Sequence, residues 1–202
     1  MPTLYRDGKP EGVELAKFMQ EVPGPEVKNL VFIKGGNAID PEGNVGVIAA
    51  NPMGGTIGGA IGPVTAQGWD LIMPVGLEKM VTSVLEGTEV TGQRHMDLTM
   101  GHEVVLFPVP NAIVITEVEA IDILFGIDAV HIASGGLGGL EGAVTLVMEG
   151  PDDEVKNAFD FVLNNVKGEP AISGPIGECE NCTSECCVYH GVKADELPDY
   201  MK

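Results

Sequence analysis

The sequence predicts an α/β protein with a mixed, mostly parallel sheet, helices on both faces of that sheet and a Cys-rich C-terminal tail. Short apolar runs bounded by Gly, Pro or Asp alternate along the chain with amphipathic stretches of helical spacing. The run at 45–50 is apolar throughout, which is typical of a strand buried on both faces, as in a parallel or mixed sheet. Four cysteines gather near the C-terminus.

The predicted elements follow one another in chain order. The first half predicts a helix, three strands and a second helix, at 11–22, 30–33, 45–50, 70–75 and 77–86. The second half predicts two strands, a helix, two strands and a final helix, at 104–109, 112–116, 117–125, 129–133, 143–148 and 152–166. The last helix has the clearest apolar face, and acidic residues in its first turn complement the helix dipole.

Domain boundaries follow from the polar segments. Residues 87–102 are polar and without periodicity, so we predict a loop or lid there. We predict one α/β domain over 1–170, with 87–103 as the place where two lobes would part. A Cys-rich segment over 171–202 follows this domain.

Composition and charge restrict the partners. Thirty acidic residues against 11 basic ones give the 202-residue chain a net charge of −19. A field of that sign repels phosphate backbones and anionic headgroups, so we expect neither nucleic acid nor a membrane as partner. No apolar run reaches the roughly 20 residues of a membrane span, and no signal peptide is visible, so we expect a cytoplasmic protein. The sequence leaves the oligomeric state open, a homo-oligomer included.

A glycine-dense loop follows the apolar run at 45–50 and leads into a predicted helix. Its members are Gly54, Gly55, Thr56, Gly58 and Gly59. Backbone amides of such a loop at a helix N-terminus form a cradle for anions, so we predict a binding site for an anionic small molecule. The spacing is neither that of a P-loop nor that of a dinucleotide fingerprint. Close packing of glycine-bearing elements is the alternative explanation. A second cluster, at 134–139, opens no predicted helix.

Polar residues at predicted strand ends form a candidate catalytic group: Lys34, Asn37, Asp40 and Glu78. A carboxylate base and an ammonium group that stabilises an enolate suit proton abstraction next to a carbonyl. Ligands in open α/β sheets bind outside the carboxyl ends of the strands, which is where these residues are expected. Turn chemistry alone would also explain Asp40, and a solvated helix start would explain Glu78.

The histidines are scattered and predict no catalytic triad. His131 lies within the apolar run 129–133, where a core histidine bonded to the backbone is the expectation. His95 and His102 belong to the predicted loop, where surface histidines are common.

The sharpest motif is a cluster of four thiols and an imidazole within twelve residues: Cys179, Cys182, Cys186, Cys187 and His190. Thiolates at short spacing hold a tetrahedral zinc ion or a [4Fe–4S] cluster, so we predict a metal site. Cys179, Cys182 and Cys186 would supply three ligands, and Cys187 or His190 the fourth. Adjacent cysteines point in different directions, so Cys186 and Cys187 would bind the same ion only from a strained loop. A thiol redox switch and inert thiols are the alternatives.

One segment resembles a known superfamily. The order Lys34-Gly-Gly-Asn-Ala-Ile-Asp-Pro-Glu-Gly-Asn-Val-Gly46 resembles a turn in ribose-5-phosphate isomerases, CoA transferases, initiation-factor-2B-like isomerases and lactate-utilisation proteins. In that superfamily the turn follows a strand and leads into the active cleft, and Asn37, Asp40 and Asn44 match its motif. The chain also resembles prokaryotic proteins of unknown function. The resemblance implies a Rossmann-like fold and a phosphate- or CoA-bearing ligand.

Three functions follow as expectations. The leading one is a small-molecule enzyme of the isomerase or transferase type that binds an anionic metabolite at the glycine-dense loop. The alternative is a metal-binding accessory or redox protein, centred on the cysteine cluster, whose cofactor would be zinc or [4Fe–4S]. A non-catalytic oligomeric scaffold, with its glycines buried at packing contacts, is the third.

Overall fold

The computed structural model describes residues 3–21, 29–167, 178–184 and 187–201, and its elements alternate between strands and helices. In these ranges the strands are β1 (Thr3–Arg6), β2 (Lys9–Gly12), β3 (Val31–Ile33), β4 (Ala38–Ile39), β5 (Val45–Ala49), β6 (Asp70–Pro74), β7 (Val105–Val109), β8 (Ile113–Ile115), β9 (Asp128–Ser134) and β10 (Val144–Glu149). The α-helices are α1 (Leu15–Gln20), α2 (Gly55–Gln67), α3 (Val84–Val90), α4 (Glu117–Phe125) and α5 (Asp152–Asn165). The mixed α/β class predicted from the sequence is confirmed.

The expected mostly parallel sheet is wrong. Parallel pairing joins β3, β6 and β8 in one three-stranded sheet, in the order β3-β6-β8. The other pairs of described strands are antiparallel: β4 with β5, β5 with β7, β1 with β2 and β9 with β10. Parallel neighbours need a crossover of a dozen or more residues, and the turn between β4 and β5 is too short for one. A Rossmann-like order of strands stays a prediction.

The described helices cover one face of the parallel sheet, so the expectation of helices on both faces is wrong for this sheet within the described residues. Phe32, Leu71 and Met73 point toward α1 and α2 and join the main core. On the opposite face Ile33 is 64% exposed, and none of the described helices covers it.

The antiparallel sheet β4-β5-β7 is packed on one face against the main core and on the other face around Gly46 and Leu106, while Ile48 on that second face is 50% exposed. Val45 and Val47 face the main core formed with α2, while α3 packs on the other side. There Gly46 lies so close to Leu106 that a Cβ atom on the glycine would be 2.6 Å from the leucine Cδ1. The burial predicted for the run 45–50 is therefore confirmed except at Ile48, whereas the direction of the strand was not predicted.

The helix predicted at 77–86 is wrong. Leu77–Lys79 forms a 3₁₀ turn, and Met80 then pairs with Ile39 in a parallel bridge. Only after this extended stretch does α3 begin, with the hydroxyl of Ser83 accepting the N–H of Glu86. Pairing with β4 thus overrides the local helical pattern.

The bounds of two other segments also differ from the predictions. The helix expected at 11–22 is shorter, because Lys9–Gly12 pairs with β1 as a strand. The loop expected at 87–102 loses its first residues to α3, which ends at Val90.

A separate small core unites α4, α5, β9 and β10. It is built on Ile121, Ile127 and Ala158. The α4 bounds match the prediction, because Thr116 and Glu119 form a capping box at its start and Gly126 ends it with φ 65°. The predicted lobe boundary at 87–103 lies between β5 and β7, which pair with each other. Among the described helices, none has the length and apolar character to cross a membrane.

Candidate functional site

The carboxyl ends of three parallel strands meet at one edge of the sheet, here called the carboxyl edge. It comprises Lys34 to Gly36 after β3, Val75 to Lys79 after β6, and Thr116 with Glu117 after β8. Backbone hydrogen bonds between the strands extend into the carboxyl edge. The N–H of Gly36 donates to the carbonyl of Pro74 at 2.9 Å, and the N–H of Val75 donates to the carbonyl of Ile115 at 3.0 Å. Ligands of open α/β sheets bind at such an edge.

Two of the predicted catalytic residues, Lys34 and Glu78, lie on this edge, and Lys79 joins them. The Lys79 ammonium lies 3.4 Å from the carbonyl of Gly36 and 3.6 Å from the Glu78 carboxylate. It thereby connects the ends of β3 and β6. Lys34 folds back so that its ammonium donates to the carbonyl of Gly35 at 3.0 Å. The edge therefore combines the ammonium groups of Lys34 and Lys79 with the carboxylates of Glu78 and Glu117.

Leu77 is held from two sides by residues that sequence reasoning missed. Its N–H donates to the Glu117 carboxylate at 2.9 Å, and its carbonyl accepts the hydroxyl of Ser134 at 3.1 Å. The Ser134 oxygen also lies 2.7 Å from Nε2 of His131. Strand β9 thus contributes a hydroxyl and an imidazole to the carboxyl edge.

A β-bulge brings His131 and Ser134 together. In the pairing with β10, His131 faces Leu146 and Ala133 faces Thr145, so Ile132 is the extra residue. Side chains alternate along a regular strand, and residues three apart would point to opposite faces. The extra residue shifts the alternation by one position, so that the side chains of His131 and Ser134 lie on one face. Strand periodicity in the sequence gives no sign of such a bulge.

Asp40 is placed away from solvent and fully engaged. It is 2% exposed, and its carboxylate accepts the N–H and the side-chain amide of Asn44 at 2.8 and 3.0 Å and the N–H of Val84 at 3.0 Å. Burial alone would raise the pKa of Asp40, but the donors from Val84 and Asn44 outweigh it and lower that pKa. The geometry is that of a carboxylate that joins a turn to a helix start, and a catalytic role for Asp40 stays a prediction.

Asn37 extends the pairing of β4 with β5. Its backbone N–H donates to Gly46 at 2.8 Å, and its side-chain oxygen accepts the N–H of Ile48 at 3.0 Å. The end of β5 is thereby attached to the segment that follows β3. The three residues of the resembling turn therefore have structural partners: Asn37 with β5, and Asp40 with Asn44.

The glycine-dense loop at 54–59 opens α2, as predicted. Gly54 and Gly55 have positive φ angles of 77° and 62°, which favour glycine, and the carbonyl of Met53 packs against Gly58. Gly59, in contrast, has open space where a side chain would be. Packing thus explains part of the loop. The N–H groups of Gly55, Thr56 and Ile57 have no acceptor among the described residues, which leaves them available to a ligand.

The two ends of the cysteine segment, at Cys179 and Gly191, lie next to each other. The N–H of Gly191 donates to the carbonyl of Cys179 at 2.8 Å, and the N–H of Ser184 points at Sγ of Cys182 at 3.4 Å. Cys186 lies outside the described residues. Among those described, no three side chains of the ligand-forming types converge as a metal site would require. The metal site predicted on Cys179, Cys182, Cys186, Cys187 and His190 stays a prediction.

One surface groove lies away from every predicted site residue. It is formed by the end of β10 and the face of α5, and is lined by Met148, Glu149, Gly150, Asp152, Val155, Lys156 and Phe159. The groove is open to solvent and holds no cluster of catalytic side chains.

No family model matches the chain, and neither a curated protein nor a solved structure is significantly similar to it. The resemblance of residues 34–46 to the isomerase and CoA transferase superfamily stays a prediction.

Proposed function

We propose that this chain is a small-molecule enzyme of the isomerase or transferase type that binds a phosphate- or CoA-bearing anionic metabolite at the carboxyl edge. The supporting observation is the bridge from Lys79 to Gly36, which brings Lys34, Glu78 and Lys79 to the ends of neighbouring parallel strands. The two ammonium groups bind the anion. Glu78 is the base that moves a proton at the reacting carbon.

Charge supports an anion-binding role for these lysines. The chain has 11 basic residues against 30 acidic ones, so its overall field repels anions. Lys34 and Lys79, two of these few basic residues, lie together on the carboxyl edge, where they offset this field beside the carboxylates of Glu78 and Glu117. The N–H groups of Gly55, Thr56 and Ile57 at the start of α2 have no acceptor among the described residues, and we propose them as a second group of donors for an anion.

A thermal-shift screen tests this proposal. At 100 times its Kd, a ligand adds about 2.7 kcal/mol to stability, which raises the Tm of a chain of this size by roughly 5–10 °C. We expect such a rise with phosphorylated sugars or acyl-CoAs, and its loss in Lys79→Ala and Lys34→Ala. Lys9→Ala is the matched control, because Lys9 is exposed on β2. A screen without any shift, or an equal loss in the control, would contradict the proposal.

A second candidate is a metal-binding accessory or redox function at the cysteine cluster. The hydrogen bond from Gly191 to Cys179 supports it, because this contact brings the two ends of the motif side by side. The thiols would hold zinc or [4Fe–4S]. Metal analysis of anaerobically purified protein tests this candidate: we expect about one zinc or four iron atoms per chain, lost in Cys179→Ser with Cys182→Ser. Metal-free protein would exclude it.

A further inference from the structure

The contact between Ser134 and His131 has the geometry of an activated nucleophile. The Ser134 oxygen lies 2.7 Å from Nε2 of His131, within the distance at which an imidazole acts as a base toward a hydroxyl. Ser134 is exposed to solvent and His131 is half-buried. A substrate can therefore reach the oxygen.

The β-bulge at Ile132 is what makes this contact. It is the irregularity in the pairing of β9 with β10, and the side chains of His131 and Ser134 share a face because of it. Bulges next to active sites commonly redirect a side chain in this way. A strand without the extra residue would place the hydroxyl and the imidazole on opposite faces.

Leu77 supplies a second acceptor for the same hydroxyl. The Ser134 hydroxyl carries one hydrogen, and the carbonyl of Leu77 lies 3.1 Å from its oxygen. When Nε2 of His131 carries no proton, the hydroxyl donates to it over the shorter distance of 2.7 Å. When Nε2 is protonated, it donates to the oxygen and the hydroxyl turns to Leu77. The oxygen is therefore held in place with either tautomer of the imidazole.

Leu77 also connects this pair to the rest of the carboxyl edge. Its N–H is bound by Glu117 and it precedes Glu78 and Lys79 in one 3₁₀ turn. The hydroxyl thus belongs to the edge at which we place the anionic metabolite. Among the described residues, no side chain contacts Nδ1 of His131, so the arrangement is a dyad.

We propose that Ser134, activated by His131, is a nucleophile that accepts an acyl group from an ester or thioester. The Ser134 oxygen forms a bond to the acyl carbon, the bond from that carbon to the leaving oxygen or sulfur breaks, and the hydroxyl proton moves to Nε2. His131 then returns the proton to the leaving group. Water or another hydroxyl, deprotonated by the same imidazole, releases the acyl group and restores the serine. The choice of a thioester donor rests on the proposed function.

A fluorophosphonate probe tests the nucleophile directly, because it forms a phosphorus–oxygen bond with activated serines and releases fluoride. We expect wild-type protein to be labelled at Ser134, as located by peptide mass spectrometry, and to hydrolyse p-nitrophenyl acetate. Labelling should disappear in Ser134→Ala and fall about 100-fold or more in His131→Gln. Ser184→Ala is the control serine and should label like wild type.

The alternative is that the Ser134 hydroxyl only attaches β9 to the 3₁₀ turn. His131→Gln separates the two explanations, because it leaves the hydrogen bond to Leu77 in place and keeps Ser134 available even if Ser134→Ala fails to fold. Folded wild-type protein without label, label at another serine, or unchanged labelling in His131→Gln would overturn the proposal. Labelling of Ser134 without any metabolite-induced thermal shift would support the nucleophile and contradict the anion site. A thermal shift without labelling would support the anion site and contradict the nucleophile.

Discussion

At the scale of single residues, Asp40 illustrates how a turn signal in the sequence becomes a buried junction. Its carboxylate accepts hydrogen bonds from the turn at Asn44 and from the first N–H of α3. The ionised carboxylate of Asp40 is tolerated in this buried position because each of these partners donates a hydrogen bond to it. The motif Asp-Pro-Glu-Gly-Asn therefore predicted a turn correctly. In the structure this turn supports the edge of the sheet.

Replacement of Asp40 by asparagine is expected to destabilise the protein. The side-chain NH₂ of an asparagine at position 40 would face the side-chain amide of Asn44 or the N–H of Val84, which are themselves donors. An unsatisfied buried donor costs about 1–3 kcal/mol. Urea unfolding followed by circular dichroism should show a loss of about this size. Asp195→Asn, at an exposed position, is the control and should change stability by less than about 0.5 kcal/mol. An unchanged midpoint in Asp40→Asn would contradict the junction role.

The same carboxylate predicts an acid dependence. The pKa of Asp40 is lower in the folded protein than its usual value, because the donors of Val84 and Asn44 outweigh the effect of burial. A group with a lowered folded pKa contributes stability above its unfolded pKa of about 3.9. This contribution is lost as the pH falls through the folded pKa. Urea unfolding between pH 6 and pH 3 should show a constant difference between wild type and Asp40→Asn above about pH 5, which narrows below about pH 4. A difference independent of pH would contradict this assignment.

At the scale of elements, the contact between β5, β7 and α3 depends on a glycine. The backbone of Gly46 lies under Leu106 and Val84, which together with Ala38 form the small core on that face of the antiparallel sheet. This close approach lets α3 pack onto the sheet and keeps its first N–H within reach of Asp40. The apolar run at 45–50 predicted the burial, whereas the need for glycine at this position follows from the packed helix.

Gly46→Ala is expected to destabilise the protein by overpacking. The new methyl group would lie 2.6 Å from Leu106 and 3.2 Å from Val84, and such insertions cost about 1–3 kcal/mol. Thermal unfolding should show a Tm lower by roughly 2–10 °C. Gly142→Ala is the control, since nothing lies within 4 Å of its Cβ position. Equal Tm values for the two variants would contradict close packing at Gly46.

At the scale of the whole molecule, the parallel sheet has an apolar face that no described helix covers. Parallel sheets are normally buried on both faces. The positions on this face carry one charge, that of Asp70; they are Val31, Ile33, Asp70, Ile72, Pro74, Ile113 and Ile115. Two copies of a chain with net charge −19 repel each other, and contact through a nearly uncharged face minimises that repulsion.

We therefore expect two copies of the chain to associate through this face. Light scattering after size exclusion should give twice the mass of one chain. Ile33→Asp should restore the mass of one chain without unfolding it, because Ile33 is 64% exposed in the single chain. Ile123→Asp on α4, at an equally exposed position (67%), is the control and should keep the double mass. A monomeric wild type would contradict the expectation.

The sequence by itself determined which segments form elements where local signals agree. The periodicity of α5, the helix expected at 117–125 and the apolar run of β5 each predicted an element within about a residue of its bounds. The sequence likewise predicted that Lys34 and Glu78 follow strands. These properties depend on neighbours along the chain, which the sequence displays directly.

Only the tertiary structure decided how those segments pair. It set the antiparallel direction of β5, broke the predicted helix at 77–86 by pairing Met80 with Ile39, and joined His131 to Ser134 through a bulge. The physical reason is that hydrophobic periodicity specifies which face of a segment is buried, and not which partner buries it. Contacts between residues distant in the chain, such as that of Ser134 with Leu77, arise only when the sheet and its helices have assembled.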